Sequence, residues 1–455
     1  MRKTWVAVMA TACLALSACG SGDGGSTAVK DTVADKGLPI VGETVKYDPN
    51  TLVNDGEPIN LEWWMWDGDE TFGQFAEAYE EIHPNVDIQI VNQPWDDYWT
   101  KLPLQLQSDD GPALYNVHNS HHENLITYME PYDIPVDELA ADYAGVEAHV
   151  IDGKVYYIDF GMMTGLIFYN TAMWEAAGLT DADIPETWDE FRDVAKKLTI
   201  RDGNSFTQAG FNFNSQFKEF SLGLPYQQGQ HLMAADQATP DLDNQAMLDT
   251  INLFTGFYDV DQVGSKDFGP VAADSFGQGQ TAMIYNWGHF GGTLGTNFPE
   301  IEYGTFRTPV PEAGVEPYAH DRYNGESTLG INAKASDAQK AVAQDFLRFY
   351  LTNADLMKDL SLHYSVFPMY QPLADDPDVL AHPVLSALGD ITKYVWPGPI
   401  PATFETSIDT MWQDILYNGV APETALATAQ KTVETDLSST DFVGVENLYA
   451  GYSSK

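Results

Sequence analysis

Cysteine is nearly absent: the 455-residue chain has two, Cys13 and Cys19, and none beyond them. No disulfide can brace the body of the protein, so its stability has to come from a packed core. Basic residues are scarce as well, 22 against 67 acidic, for a formal net charge of −45. That balance repels nucleic-acid phosphates and disfavours an anionic ligand, and no basic cluster interrupts it. The acidity reads as a solvated, self-repelling surface spread along the chain. Past the N-terminal segment, no apolar run reaches the ~18 residues of a membrane span. Internal repeats are missing, as are a GxSxG elbow, an HExxH pair, a P-loop and a CxxC pair. What the chain does have is apolar bulk, 44% hydrophobic and 12% aromatic residues, enough for two or three domains.

The first nineteen residues have an order of their own. Arg2 and Lys3 form a positive n-region, Trp5 to Leu16 an apolar stretch too short to span a bilayer, and Ser17-Ala18 a small-residue approach to Cys19. This resembles a bacterial lipoprotein signal. The resemblance implies that residues 1–18 are a leader, that Cys19 is lipidated, and that the mature chain is extracytoplasmic and anchored to the cell membrane. One acyl chain anchors marginally and two anchor stably. Gly20 to Thr27 (GSGDGGST) is too poor in apolar groups to order itself. Pro39, Gly42, Pro49 and Gly56 punctuate the residues after it, so 19–58 reads as a flexible linker and the folded body as starting near Ile59.

From there the pattern is strand, helix, strand, helix, strand. Leu61 to Trp66 is apolar but for Glu62, and Phe72, Phe75, Ala76, Tyr79 and Ile82 come next at helical spacing up to Pro84. Val86 to Val91 alternates, Trp95 to Ser108 reads as a helix with Pro103 as a kink, and Ala113 to Val117 makes the third strand. A βαβαβ run implies a parallel sheet with right-handed crossovers. It also places Trp66 to Asp69, Trp95 and His118-Asn119 just past strand carboxyl ends, the edge where open α/β sheets bind ligands. Asp152-Gly153 signals a tight hairpin. Met162 to Tyr169 is long enough to carry the chain from one sheet to another, Asn170 caps a helix, and Thr187/Glu190 and Ser336/Gln339 are capping boxes. Two helical patterns, Ile408 to Leu416 and Pro422 to Thr435, close the sequence.

Six stretches then line up in order: DGKVYYIDF (152–160), IFYN (167–170), ETWDEF (186–191), FGQGQTAM (276–283), LGINAKAS (329–336) and ALATAQKTV (425–433). Together they resemble the extracellular solute-binding proteins of sugar ABC transporters, the maltose-binding-protein-like family. The resemblance implies an α/β protein of two lobes, each a mostly parallel sheet flanked by helices, with several chain crossings between them. The expected division is 59–163 with 327–375 for one lobe and 164–326 with 376–455 for the other. It implies a non-catalytic, cofactor-free monomer that closes on a neutral sugar, more suitably an oligosaccharide, and hands it to permease subunits. Asp67 and Asp69 fall in a loop that contacts sugar hydroxyls in the family. His118-Asn119 falls where a His-Asp pair is common, Phe217 and Trp412 match stacking aromatics, and Trp287 or His289 stands at a third such place. Glu326 lies near the return crossing. Lipidation of such proteins also suggests a one-membrane cell.

The residue types suit the task. Carboxylate and amide oxygens meet sugar hydroxyls through charge-assisted hydrogen bonds. Flat rings cover the C–H face, and a ring removing ~40–60 Å² of apolar area from water contributes about 1–1.5 kcal/mol at ~25 cal/mol/Å². Trp66, Trp95, Trp287, Trp396 and Trp412 are the candidate platform, while Trp63 and Trp64, inside a strand, read as core. Three other readings compete. His118, His121, His122 and Glu123 have metal-ligating side chains, though at no familiar spacing. A glycosidase needs two carboxylates across a sugar, which 67 acidic residues supply by chance. A polyamine receptor would use Asp67, Asp69 and Glu326 beside Trp66 and Trp287. The lipid assignment has a direct check: cells fed a palmitate analogue should label the wild-type chain and not Cys19→Ala.

Overall fold

The computed structural model describes residues 36–66, 70–449 and 451–453. Cys19, Asp67 and Asp69 therefore lie outside the described residues. The first sheet runs in the order Val86–Asn92, Ile59–Met65, Leu114–Asn116, Leu329–Asn332, Met129–Glu130. Its first three strands are parallel, as the βαβαβ pattern requires. The last two come from elsewhere in the chain and pair antiparallel. Alternation along Ile59–Met65 buries Leu61, Trp63 and Met65. Trp63 packs edge-on against Phe72 and Phe346, at 5.7 and 5.4 Å, and its indole N–H donates to Asn116 Oδ1 at 2.8 Å. Trp64 is only half-buried and donates to Glu62.

One strand joins the two halves. Asp159–Asn170 is twelve residues long and buried except at Tyr169. Its first half pairs with Asp321–Ser327 and Phe367–Pro368, its second with Met283–Trp287 and Tyr303–Arg307. Phe160, Met162, Leu166 and Phe168 belong to a core with Trp63, Phe75 and Phe346, whereas Ile167, on the opposite face, belongs to one with Phe191, Phe254 and Trp412. The strand thus lies between the two cores and touches both. In this second sheet every pairing is antiparallel except Asp321–Ser327 with Tyr394–Val395, where a mostly parallel sheet was expected. The reason is connectivity: Met283–Trp287 and Tyr303–Arg307, joined by the helix Phe290–Asn297, run parallel to each other but flank Asp159–Asn170, which runs the opposite way between them. Two glycines allow the close approach. A Cβ on Gly165 would overlap Tyr285, and one on Gly325 would overlap the Asp159 carboxylate.

Local signals hold up well. Thr187 and Ser336 both form reciprocal capping boxes, and Asn170 Oδ1 accepts from Met173 N at 3.0 Å. Asp152 and Gly153 have φ of 50° and 75° between paired strands, as a tight primed turn demands. Among the described residues, no helix is long and apolar enough to cross a membrane.

Two boundaries differ from expectation. Residues 36–58 are not a flexible linker but a strap on the first lobe. Val45, Tyr47 and Val53 are buried in its core, the Asp142 carboxylate accepts from Thr44 N and Val45 N at 2.9 and 2.8 Å, and Tyr47 Oη meets His83 Nε2 at 2.8 Å. Burial takes the His83 pKa down to about 4, so that bond is to a neutral imidazole. The prolines and glycines that read as linker punctuation separate widely spaced apolar anchors. Likewise the first core keeps to neither expected edge: it takes in Val379, Val384 and Leu388 beyond 375, and Phe276, Ile284 and Phe290 from the expected second lobe. A chain starting at residue 59 would forfeit three buried side chains worth ~1.5–3 kcal/mol each. Urea unfolding should find it less stable than a chain starting at 36 by about 4.5–9 kcal/mol.

Candidate functional site

Between the lobes lies a cavity of about 970 Å³. The first lobe contributes Trp66, Trp95 and His118, each at the carboxyl edge of the parallel strands. The second contributes Lys218 and Glu219 from the short helix Phe217–Ser221, Glu405 from Ala402–Leu416, and Trp287 with His289 at the end of Met283–Trp287. Met163, Asn324 and Glu326 come from the crossing strands.

The rings of the first wall brace one another. Trp66 meets Trp95 edge to face at 5.3 Å and 90°, and Trp95 meets His118 at 5.2 Å and 89°. Trp95 is nevertheless 41% exposed, an unusual position for an indole unless that face awaits a partner. On the opposite wall the Arg322 guanidinium lies 5.0 Å from the Trp287 ring centroid, a cation–π contact that holds the ring in place.

Burial sets the charge states. It takes the pKa of both His118 and His289 down to about 4, so both are neutral; His118 Nδ1 contacts Ser120 Oγ at 2.7 Å. Lys218 and Glu405 pair at 3.0 Å. Burial opposes the charge on each, but Glu405 and Glu219 more than offset it for Lys218, and Lys218 with Arg322 does so for Glu405. The lysine pKa therefore ends raised and the glutamate pKa lowered. Glu219 also feels Lys218, but burial outweighs that attraction and takes its carboxyl up to about 7. Behind it, Asp321 is also pushed up to about 7 by burial and accepts from the Tyr285 hydroxyl at 2.8 Å.

Of the residues singled out from sequence, Trp66, Trp95, His118, Trp287, His289 and Glu326 all line this cavity. Asn119 sits just behind, its amide donating to Asn324 Oδ1 at 3.0 Å and to the Gly325 carbonyl at 3.3 Å. Phe217 and Trp412 do not reach it. They stack on each other at 5.7 Å and 15° inside the second core, and Trp412, 0% exposed, donates to Ser221 Oγ at 2.7 Å. The helix Phe217–Ser221 turns Phe217 and Phe220 inward and gives its Lys218-Glu219 face to the cleft. Trp412 lies two turns deeper than Glu405 along one helix face, below the cleft. Trp396 is buried against Tyr323 and His149.

Lys218, Glu219, Glu405 and Asn324 were missed by sequence reasoning. The only signal was adjacency to the predicted aromatics, which says nothing about which side of a helix faces the cleft. The histidine cluster disperses: His121 stacks on Trp99 at 3.9 Å, and His122 contacts the Tyr157 hydroxyl at 3.0 Å. Among the described residues, no group of three or more His, Cys, Asp or Glu side chains could hold a metal ion.

Two lobes, strands crossing between them, and a cleft lined from both sides define a two-lobed binding protein. The chain belongs to the bacterial extracellular solute-binding proteins, whose family profile matches residues 66–357. These are extracytoplasmic binding proteins, not enzymes. With binding proteins of Brucella abortus it is 22% identical over 257 residues, 54% of this chain and 61% of theirs, so it spans about three fifths of those relatives. It is 20% identical to the maltotriose-binding protein of Pyrococcus abyssi over 72% of this chain and 69% of that one. For the diacetylchitobiose-binding protein DasA of Streptomyces coelicolor the figures are 22%, 66% and 70%. Its fold is similar to that of the Bdellovibrio bacteriovorus maltose/maltodextrin-binding domain MalE bound to maltotriose, at TM-score 0.67 and 21% identity, covering 84% of this chain and all of that one.

Core and cleft tryptophans should separate experimentally. Trp412→Ala is expected to cost about 3–5 kcal/mol of stability, as large-to-small core changes do. Trp95→Ala should cost under ~1 kcal/mol, both read by denaturant unfolding.

Proposed function

We propose that this chain is the sugar-capturing receptor of an ABC importer, closing its lobes on an oligosaccharide and delivering it unaltered to a membrane permease. The observation that carries this is the pairing, in one inter-lobe cavity, of indole faces from both lobes with hydrogen-bonding side chains between them. A pyranose has the matching surfaces, an apolar C–H face and a rim of hydroxyls. The volume, about 970 Å³, lies near the top of the range for small-molecule pockets and favours several linked sugar units over one. The relatives named for maltotriose and diacetylchitobiose support the same ligand class.

In this reading Trp66, Trp95 and Trp287 stack on sugar rings, while His118, His289, Glu326 and the loop holding Asp67 and Asp69 take hydroxyls. Lipidated Cys19 keeps the monomeric receptor at the outer face of the cell membrane. Sugar that touches both lobes binds the closed form better, and so populates it. Closure, capture and presentation to the permease are then one equilibrium.

Calorimetry or tryptophan fluorescence across an oligosaccharide panel tests the proposal. Trp66→Ala and Trp287→Ala should each weaken the tightest sugar at least tenfold, about 1.4 kcal/mol, with unchanged melting. Unaltered affinity in both would remove the assignment of the platform.

A further inference from the structure

Given the sugar-binding reading, on which this inference rests, the charge in the cleft narrows the ligand further. Lys218 is matched by Glu405 at 3.0 Å. Arg322 lies over Trp287, beside Asp321, and both cleft histidines are neutral. Glu326 receives an N–H from Asn324 at 3.3 Å. That leaves Glu219, which lines the cavity, is 8% exposed, and has a buried Oε2 with no hydrogen-bond partner. From the facing helix Ala402–Leu416, Asp409 and Glu405 add negative charge around it. Among the described residues, the cavity wall thus carries three carboxylates, Glu219, Glu326 and Glu405, against the ammonium of Lys218 and the Arg322 guanidinium behind Trp287.

A buried carboxylate oxygen without a donor is costly, and a donor supplied by a ligand in the cavity would remove that cost. A sugar hydroxyl would satisfy the oxygen but leave the excess charge. A protonated amine does both, and the indole faces of Trp66, Trp95 and Trp287 also attract a cation. We propose that the ligand is a basic saccharide, an amino sugar or an oligosaccharide containing one, and that Glu219 is the specificity-determining carboxylate that receives its ammonium. The upward displacement of the Glu219 pKa fits: burial holds this group between charged and neutral, and a cation beside it favours the carboxylate.

The test is isothermal calorimetry on the full chain with β-1,4-linked glucosamine oligomers, their N-acetylated counterparts and maltotriose. The free-amine oligomers should bind at least tenfold tighter than the N-acetylated ones. Glu219→Gln, which keeps shape and removes charge, should reduce that preference tenfold. Equal or tighter binding of the N-acetylated sugars or of maltotriose by the wild-type chain would overturn the amine assignment and leave the sugar reading standing. Binding of none of the three would overturn both. Should the variant fail to fold, the wild-type ratio still decides.

Discussion

The structure depends on the backbone pairing of one buried strand. Asp159–Asn170 has neighbours on both sides along most of its length, and its side chains reach both cores, Phe160 and Phe168 one and Ile167 the other. A buried strand cannot leave N–H and C=O groups unpaired, so the segments beside it are fixed in position whatever their place in the chain. Asp321–Ser327 and Met283–Trp287 are held this way, and they carry Asn324, Glu326 and Trp287 to the cleft. Gly165 and Gly325 are part of the same constraint, because a side chain at either would push a neighbouring strand's Tyr285 or Asp159 away.

Much of this was legible from the sequence wherever the signal was local. The apolar run Leu61 to Trp66, the capping boxes at Thr187 and Ser336, and the Asp152-Gly153 turn each depend on a few adjacent residues, and all formed, the first as the strand Ile59–Met65. The placement of Trp66, Trp95 and His118 was readable one level up, because a parallel βαβαβ unit puts all its loops on one edge. Legibility ended where orientation depends on distant packing. Phe217 and Glu219 are two residues apart on one short helix, and only the partners of Phe220, a stacked Phe254 at 3.6 Å and Trp412 at 5.4 Å, determine which faces the cleft. The strap was illegible for a related reason: Val45, Tyr47 and Val53 are too far apart to show periodicity. Their burial depends on a core assembled from residues distant in the chain, such as Phe349 beside Tyr47 at 5.3 Å.

The acidic composition gains a different meaning inside the cleft. Over the surface, the net charge of −45 is solvated and screened by salt. Between the lobes, low-dielectric walls make each unpaired charge count, which is why Glu405 tracks Lys218 so closely while Glu219 is left near neutrality. The same walls keep His118 and His289 uncharged, so that they offer hydrogen bonds without adding repulsion.

The strap grips one half of the molecule. Its contacts run to Ile82, His83, Asp142 and Phe349, all in the first lobe. A pull on the chain ahead of the strap would therefore be taken up by the first lobe and not shared with the second.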